Sequence, residues 1–94
     1  MSYEYFIYTE PSSVAFGAIA EALRKSHRGL VVGPDERSLC IPDPDGSGWD
    51  LIFISSESYG YLLASNLGPG LREMFQAIEK ALRAQGLSCR IDDA

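Results

Sequence analysis

WDLIFISSESYGYLLAS, residues Trp49 to Ser65, decides how the rest of the chain is arranged. It sets two apolar runs back to back around a short polar segment, Ser55-Ser56-Glu57-Ser58. Trp49, Leu51 and Phe53 alternate with Asp50, Ile52 and Ile54, and Tyr59, Tyr61 and Leu63 alternate with Gly60, Leu62 and Ala64. Aromatic and β-branched side chains suit a pleated, packed surface. Apolar residues at both parities mark strands covered on both faces. One strand of this length would far exceed the usual span of roughly 5 to 6 residues. The Ser/Glu segment therefore reads as a turn, and the whole as a hairpin sandwiched in the middle of the domain.

Upstream of the hairpin, Pro42 to Gly48 (PDPDGSG) is a loop, and Arg37 to Ile41 alternates polar and apolar, as a half-exposed strand does. Leu30-Val31-Val32 is a short strand, separated from it by the turn residues Gly33-Pro34-Asp35-Glu36. The first strand is Tyr3 to Tyr8 (YEYFIY), aromatic and central. A helix starts near Glu10-Pro11-Ser12-Ser13, where Ser can cap, and runs to about Ser26. Its apolar stripe is Phe16, Ile19, Ala20 and Leu23, with Glu21 and Lys25 paired on the wet side and Gly29 placed to end it.

Downstream, Asn66 to Gly70 opens a second helix with the stripe Leu71, Met74, Phe75, Ile78 and Leu82, stopped by Gly86. Glu79 and Arg83 form an i,i+4 pair on its solvated side. Leu87 to Ile91 alternates and reads as an edge strand.

Chain direction then constrains topology. If the first strand runs up, the meander of four strands runs up, down, up, down, and the last strand runs down. The first strand can lie between Tyr59–Ala64 and Leu87–Ile91, antiparallel to both. The expected class is α+β: a single domain over residues 1–94, with an antiparallel sheet carrying two helices on one face. This order is similar to the ferredoxin-like βαββαβ arrangement with an enlarged central meander, a fold that hosts many functions. The same order puts Cys40 and Cys89 on opposite halves of the sheet, too far apart for the roughly 4.4–6.8 Å Cα separation of a disulfide.

The bulk properties exclude more than they select. At 94 residues and 46% hydrophobic content the chain can build a core without disulfides or a metal. Thirteen acidic against eight basic residues give a net charge of −5, and the basic residues are scattered. Nucleic-acid binding, which draws on clustered Lys and Arg, is disfavoured. The acid excess suits a basic protein partner, and it also maintains solubility. MSYEYFIY lacks the charged and apolar regions of a secretion signal, and no apolar run approaches the roughly 20 residues of a membrane span. A cytoplasmic location is the expectation.

Chemistry-bearing residues are sparse. Asp43, Asp45 and Ser47, with Gly48, copy the first half of an EF-hand loop, but position 12 is Ile54 where a bidentate Glu is needed. Turn chemistry explains the loop, and no cofactor or metal is expected. Gly68-Pro69-Gly70 lacks the third Gly of a dinucleotide loop and the Lys of a P-loop, and a turn with Pro in the first helical turn accounts for it. His27 is the sole histidine and reads as a helix-end residue. No serine elbow, paired buried carboxylates or nucleophile–base set points to an enzyme.

The aromatics are the remaining signal. Tyr3, Tyr5, Trp49, Tyr59 and Tyr61 would give the sheet a Tyr-rich face, and Tyr and Trp are favoured at interfaces because they join area to a polar tip. The expected function is a small acidic protein-interaction module, binding a protein partner or itself as a homodimer. Small acidic α+β proteins that neutralise toxins, the immunity type, have this character. The alternative is a small-molecule binder or enzyme with a pocket between sheet and helices, using Tyr hydroxyls and His27.

Overall fold

The computed structural model describes residues 3–27, 29–35, 37–42, 50–65 and 71–93. In chain order these form β1 (Tyr3–Tyr8), α1 (Ser13–Ser26), β2 (Val31–Val32), β3 (Ser38–Pro42), β4 (Asp50–Glu57), β5 (Gly60–Ser65), α2 (Leu71–Ala84) and β6 (Arg90–Asp93). The strands make one sheet in the order β2-β3-β4-β5-β1-β6, and every pairing is antiparallel. β1 thus sits between β5 and β6, as the direction count allows. The order departs from a four-stranded βαββαβ sheet, because β2 and β3 extend one edge.

Register decides which side chains face the helices. Ile7 stands opposite Tyr61, Ile54 opposite both Leu39 and Leu63, and Ile52 opposite Ile41. Directly opposed residues share a face of the sheet. These residues are buried in one cluster with Phe16, Ile19 and Leu23 of α1 and Met74, Ile78 and Leu82 of α2. Both helices therefore cover the same side. Burying a side chain of this kind is worth about 1.5–3 kcal/mol, so this cluster carries most of the stabilisation.

α1 begins where its cap predicts: the Ser12 hydroxyl accepts from the Ala15 N–H at 3.1 Å. It ends at Ser26, three residues before Gly29, with His27 extended and its N–H donating to the Leu23 carbonyl at 2.8 Å. On its wet side Glu21 pairs with Arg24 at 3.7 Å, one residue from the expected Lys25. The Glu79–Arg83 pair of α2 forms at 2.7 Å. Both pairs are exposed and contribute little to stability. α2 closes at Gly86, whose φ of +77° is the left-handed conformation that ends helices.

Two expectations for the central hairpin are corrected. Ser55, Ser56 and Glu57 belong to β4, and the turn is Ser58-Tyr59. The polar run remains a strand because its backbone is paired on both sides, including a 2.7 Å bond from the Ser56 N–H to the Arg37 carbonyl. Nor is the hairpin sandwiched. Ile52 and Tyr61 are buried at 0% and 1% exposure, whereas Phe53 stands 42% exposed on the other side. β6 begins at Arg90, three residues beyond the expected Leu87, and Leu87 and Cys89 instead pack against the core. Neither Cys40 nor Cys89 forms a disulfide.

Among the described residues one buried polar atom stands without a partner, the hydroxyl oxygen of Thr9, just past β1. A buried hydroxyl that makes no hydrogen bond costs more than the methyl that would replace it. Thr9→Val is expected to raise the unfolding free energy by about 1 kcal/mol in urea titration. A loss of similar size would show that the hydroxyl holds a bound water.

Candidate functional site: the open face of the sheet

The side of the sheet away from the helices is built by the alternate parity of the same strands. Phe6 lies opposite Leu62, Leu62 opposite Ser55, Phe53 opposite Ala64 and Cys40, and Cys40 opposite Val31. The stripe crosses five strands, from β2 to β1, about 19 Å at the usual spacing of about 4.8 Å. Phe53 and Val31 are exposed, at 42% and 53%. No helix or strand among the described residues lies over it.

At the β1 end the stripe closes with a cluster of rings. Tyr59, in the β4–β5 turn, meets Phe6 edge-on with centroids 5.2 Å apart and Tyr8 at 5.5 Å. Phe6 and Tyr8 complete the set at 5.9 Å. Arg90 lays its guanidinium 4.5 Å above the Tyr8 ring and pairs with Asp92 at 2.9 Å. Burial pushes the Tyr59 hydroxyl pKa up, with the Glu57 carboxylate and Tyr8 adding to it.

The aromatic residues singled out in the sequence divide between the two sides. Tyr59 belongs to the open face. Tyr61 is in the core, its hydroxyl donating to the Ser12 carbonyl at 3.3 Å and its ring near Phe16. Tyr5 also faces the helices and packs edge-on against Phe75 of α2, centroids 4.7 Å apart. Tyr3 shares that parity, opposite Ser65, and is 55% exposed at the end of β1. Trp49, together with Asp43, Asp45 and Ser47 and the segment Gly68-Pro69-Gly70, lies outside the described residues. Phe6, Phe53 and Leu62 were not singled out, and pairing parity is the signal that finds them. Once Ile7 and Ile54 are assigned inward, their neighbours Phe6 and Phe53 must point outward.

Comparison with protein-family models, curated proteins and solved structures gives no match. The geometry of the site therefore carries the functional argument alone.

A second concavity lies between the helices. It is a cleft of about 590 Å3 with Ala18, Ala22, Ala77 and Ala81 along it and Lys25 and Lys80 at its rim. His27 lines it too, but no tyrosine does. This cleft lies between α1 and α2, not between sheet and helices. Among the described residues no cluster of His, Cys, Asp and Glu has the makings of a metal site. Burial raises the Cys89 thiol pKa, and Glu79 raises it further, which keeps the thiol protonated and weakly nucleophilic. No described helix is long and apolar enough to cross a membrane.

Proposed function

We propose that the chain is a protein-interaction module that docks through the open face of its sheet. The observation that carries this reading is the continuous stripe Val31, Cys40, Phe53, Leu62 and Phe6, apolar on a side that neither helix covers. Exposed apolar stripes of this kind are costly to a solitary protein and mark contact surfaces. The Tyr59–Phe6–Tyr8 cluster adds rigid aromatic area at one end, the composition of interface anchors. A toxin-neutralising role is one form such a module takes. We also read the fold as a ferredoxin-like variant, supported by the inner order β4-β5-β1-β6 with a helix after β1 and another after β5.

The test is position-specific. A photo-cross-linking amino acid at Phe53, carried in the cells that make the protein, is expected to give a discrete adduct that Leu62→Asp removes. The same group at the exposed helix residue Gln76 is expected to give none. Equal adducts at both positions, or none at Phe53, would refute the reading. The cleft between α1 and α2 favours a second reading, a small-molecule site, because its volume falls in the range of roughly 300–1,000 Å3 typical of ligand pockets. A metabolite-induced thermal shift abolished by Ala77→Leu would favour that site instead.

A further inference from the structure

The charges of this chain are sorted by layer. The two helices carry Arg24, Lys25, Arg72, Lys80 and Arg83 against Glu21, Glu73 and Glu79. Among the described strands the only basic residue is Arg90. On the open face, pairing parity places Glu4 beside Ala64, Glu57 beside Gly60, and Asp92 beside Phe6. All three are exposed, and among the described residues only Asp92 has its charge met, by Arg90 at 2.9 Å. The apolar stripe is thus framed by carboxylates: Glu4 lies at one end of the β1–β5 pair and Glu57, on β4, at the opposite end of the β4–β5 pair, and among the described residues neither has a cation of its own face beside it.

From this we infer that the occupant of the open face is a different protein with a basic surface: an apolar stripe flanked by Lys or Arg. The inference rests on the interaction-module reading above and names the partner's chemistry. Complementary charge at the rim of an apolar patch speeds encounter and selects the partner, whereas like charge suppresses the wrong one. A second copy meeting the same face about a two-fold axis would bring the carboxylates of both copies into one interface while the chain already carries −5. A head-to-tail contact, acidic face on basic helices, would leave a free face at each end and grow without closing.

Two short peptides serve as probes, one alternating Leu and Lys, the other Leu and Glu. Each is titrated into the 15N-labelled full chain while amide shifts are followed. The Leu–Lys peptide is expected to move the resonances of Phe6, Phe53 and Leu62. It should bind at least about tenfold more tightly than the Leu–Glu peptide at low salt, with the advantage shrinking as ionic strength rises. In the double variant Glu4→Lys/Glu57→Lys, both positions being exposed, the preference is expected to reverse. If the two peptides move the open face equally, the charge inference falls and the docking face stands. If neither moves it, or both map to the α1–α2 cleft, the docking face falls as well. A dimer or a growing chain in light scattering, with the open-face resonances protected, would make the occupant a second copy and overturn the inference.

Discussion

Gly60→Ala is expected to cost about 3 kcal/mol or more of unfolding free energy, a large share of the roughly 5–15 kcal/mol that holds a domain together. Two costs combine. Gly60 has φ of +146°, where residues with a Cβ are strained. A Cβ there would also run into the carbonyl oxygen of Ile7 and come within 2.9 Å of the Thr9 nitrogen. The first is a backbone atom of β1, the strand paired with β5, and the second a backbone atom of the residue just past it, so neither can swing aside. Gly60 follows directly on the two-residue turn and opposes Tyr8, so the substitution attacks the hairpin and its pairing to β1 together. Chemical denaturation is the measurement, and a loss below about 1 kcal/mol would mean that β1 approaches β5 less closely than described.

Tyr61→Ala is the second large effect, expected at about 3–5 kcal/mol, as for other large aromatic truncations in a core. Tyr61 is 1% exposed, opposite Ile7 on β1 and Ser56 on β4, and its ring lies 6.4 Å from that of Phe16. Its hydroxyl reaches the Ser12 carbonyl beside the start of α1, so one side chain ties hairpin to helix. Tyr61→Phe keeps the ring and loses the hydrogen bond, at about 1 kcal/mol. The hydroxyl also has a pH signature. Burial raises its pKa above the ordinary value of 10.0, so the folded protein holds this proton more tightly than the unfolded chain. The associated stability is fully present below pH 10 and declines as pH rises through the folded pKa. Wild type is expected to lose stability over that alkaline range more steeply than Tyr61→Phe. Parallel profiles would contradict the burial of this hydroxyl.

How far the sequence discloses this depends on which physical signal each element carries. The helices are legible because a period of 3.6 has one solution: Phe16, Ile19, Ala20 and Leu23 are all buried, as are Met74, Ile78 and Leu82. Strand order is legible because chain direction leaves β1 a place between β5 and β6. The turn is misread because Ser55-Ser56-Glu57 has the composition of a turn, while a strand with one open face tolerates polar residues at full pairing. The decisive ambiguity is in β4. Ile52, Phe53 and Ile54 in a row fit a strand buried on both sides, and equally one whose outer side is an apolar contact surface. Hydrophobicity alone does not distinguish a helix above Phe53 from a partner protein. The candidate site is missed in part for the same reason. Tyrosine content drew attention to Tyr5 and Tyr61, which parity places inside, and away from Phe6 and Phe53, which it places outside.

The central claim is that one side of this sheet is core and the other is free for a partner, and adjacent residues of β4 test it. Ile54 is 0% exposed and meets Leu39 and Leu63, whereas Phe53 is 42% exposed on the opposite side. Ile54→Asp and Phe53→Asp are compared by urea unfolding of the isolated chain. Ile54→Asp is expected to abolish the cooperative transition or cost more than about 4 kcal/mol, and Phe53→Asp to cost no more than about 1 kcal/mol. Comparable losses for the two would mean that both sides of β4 are core, and the docking face would not exist.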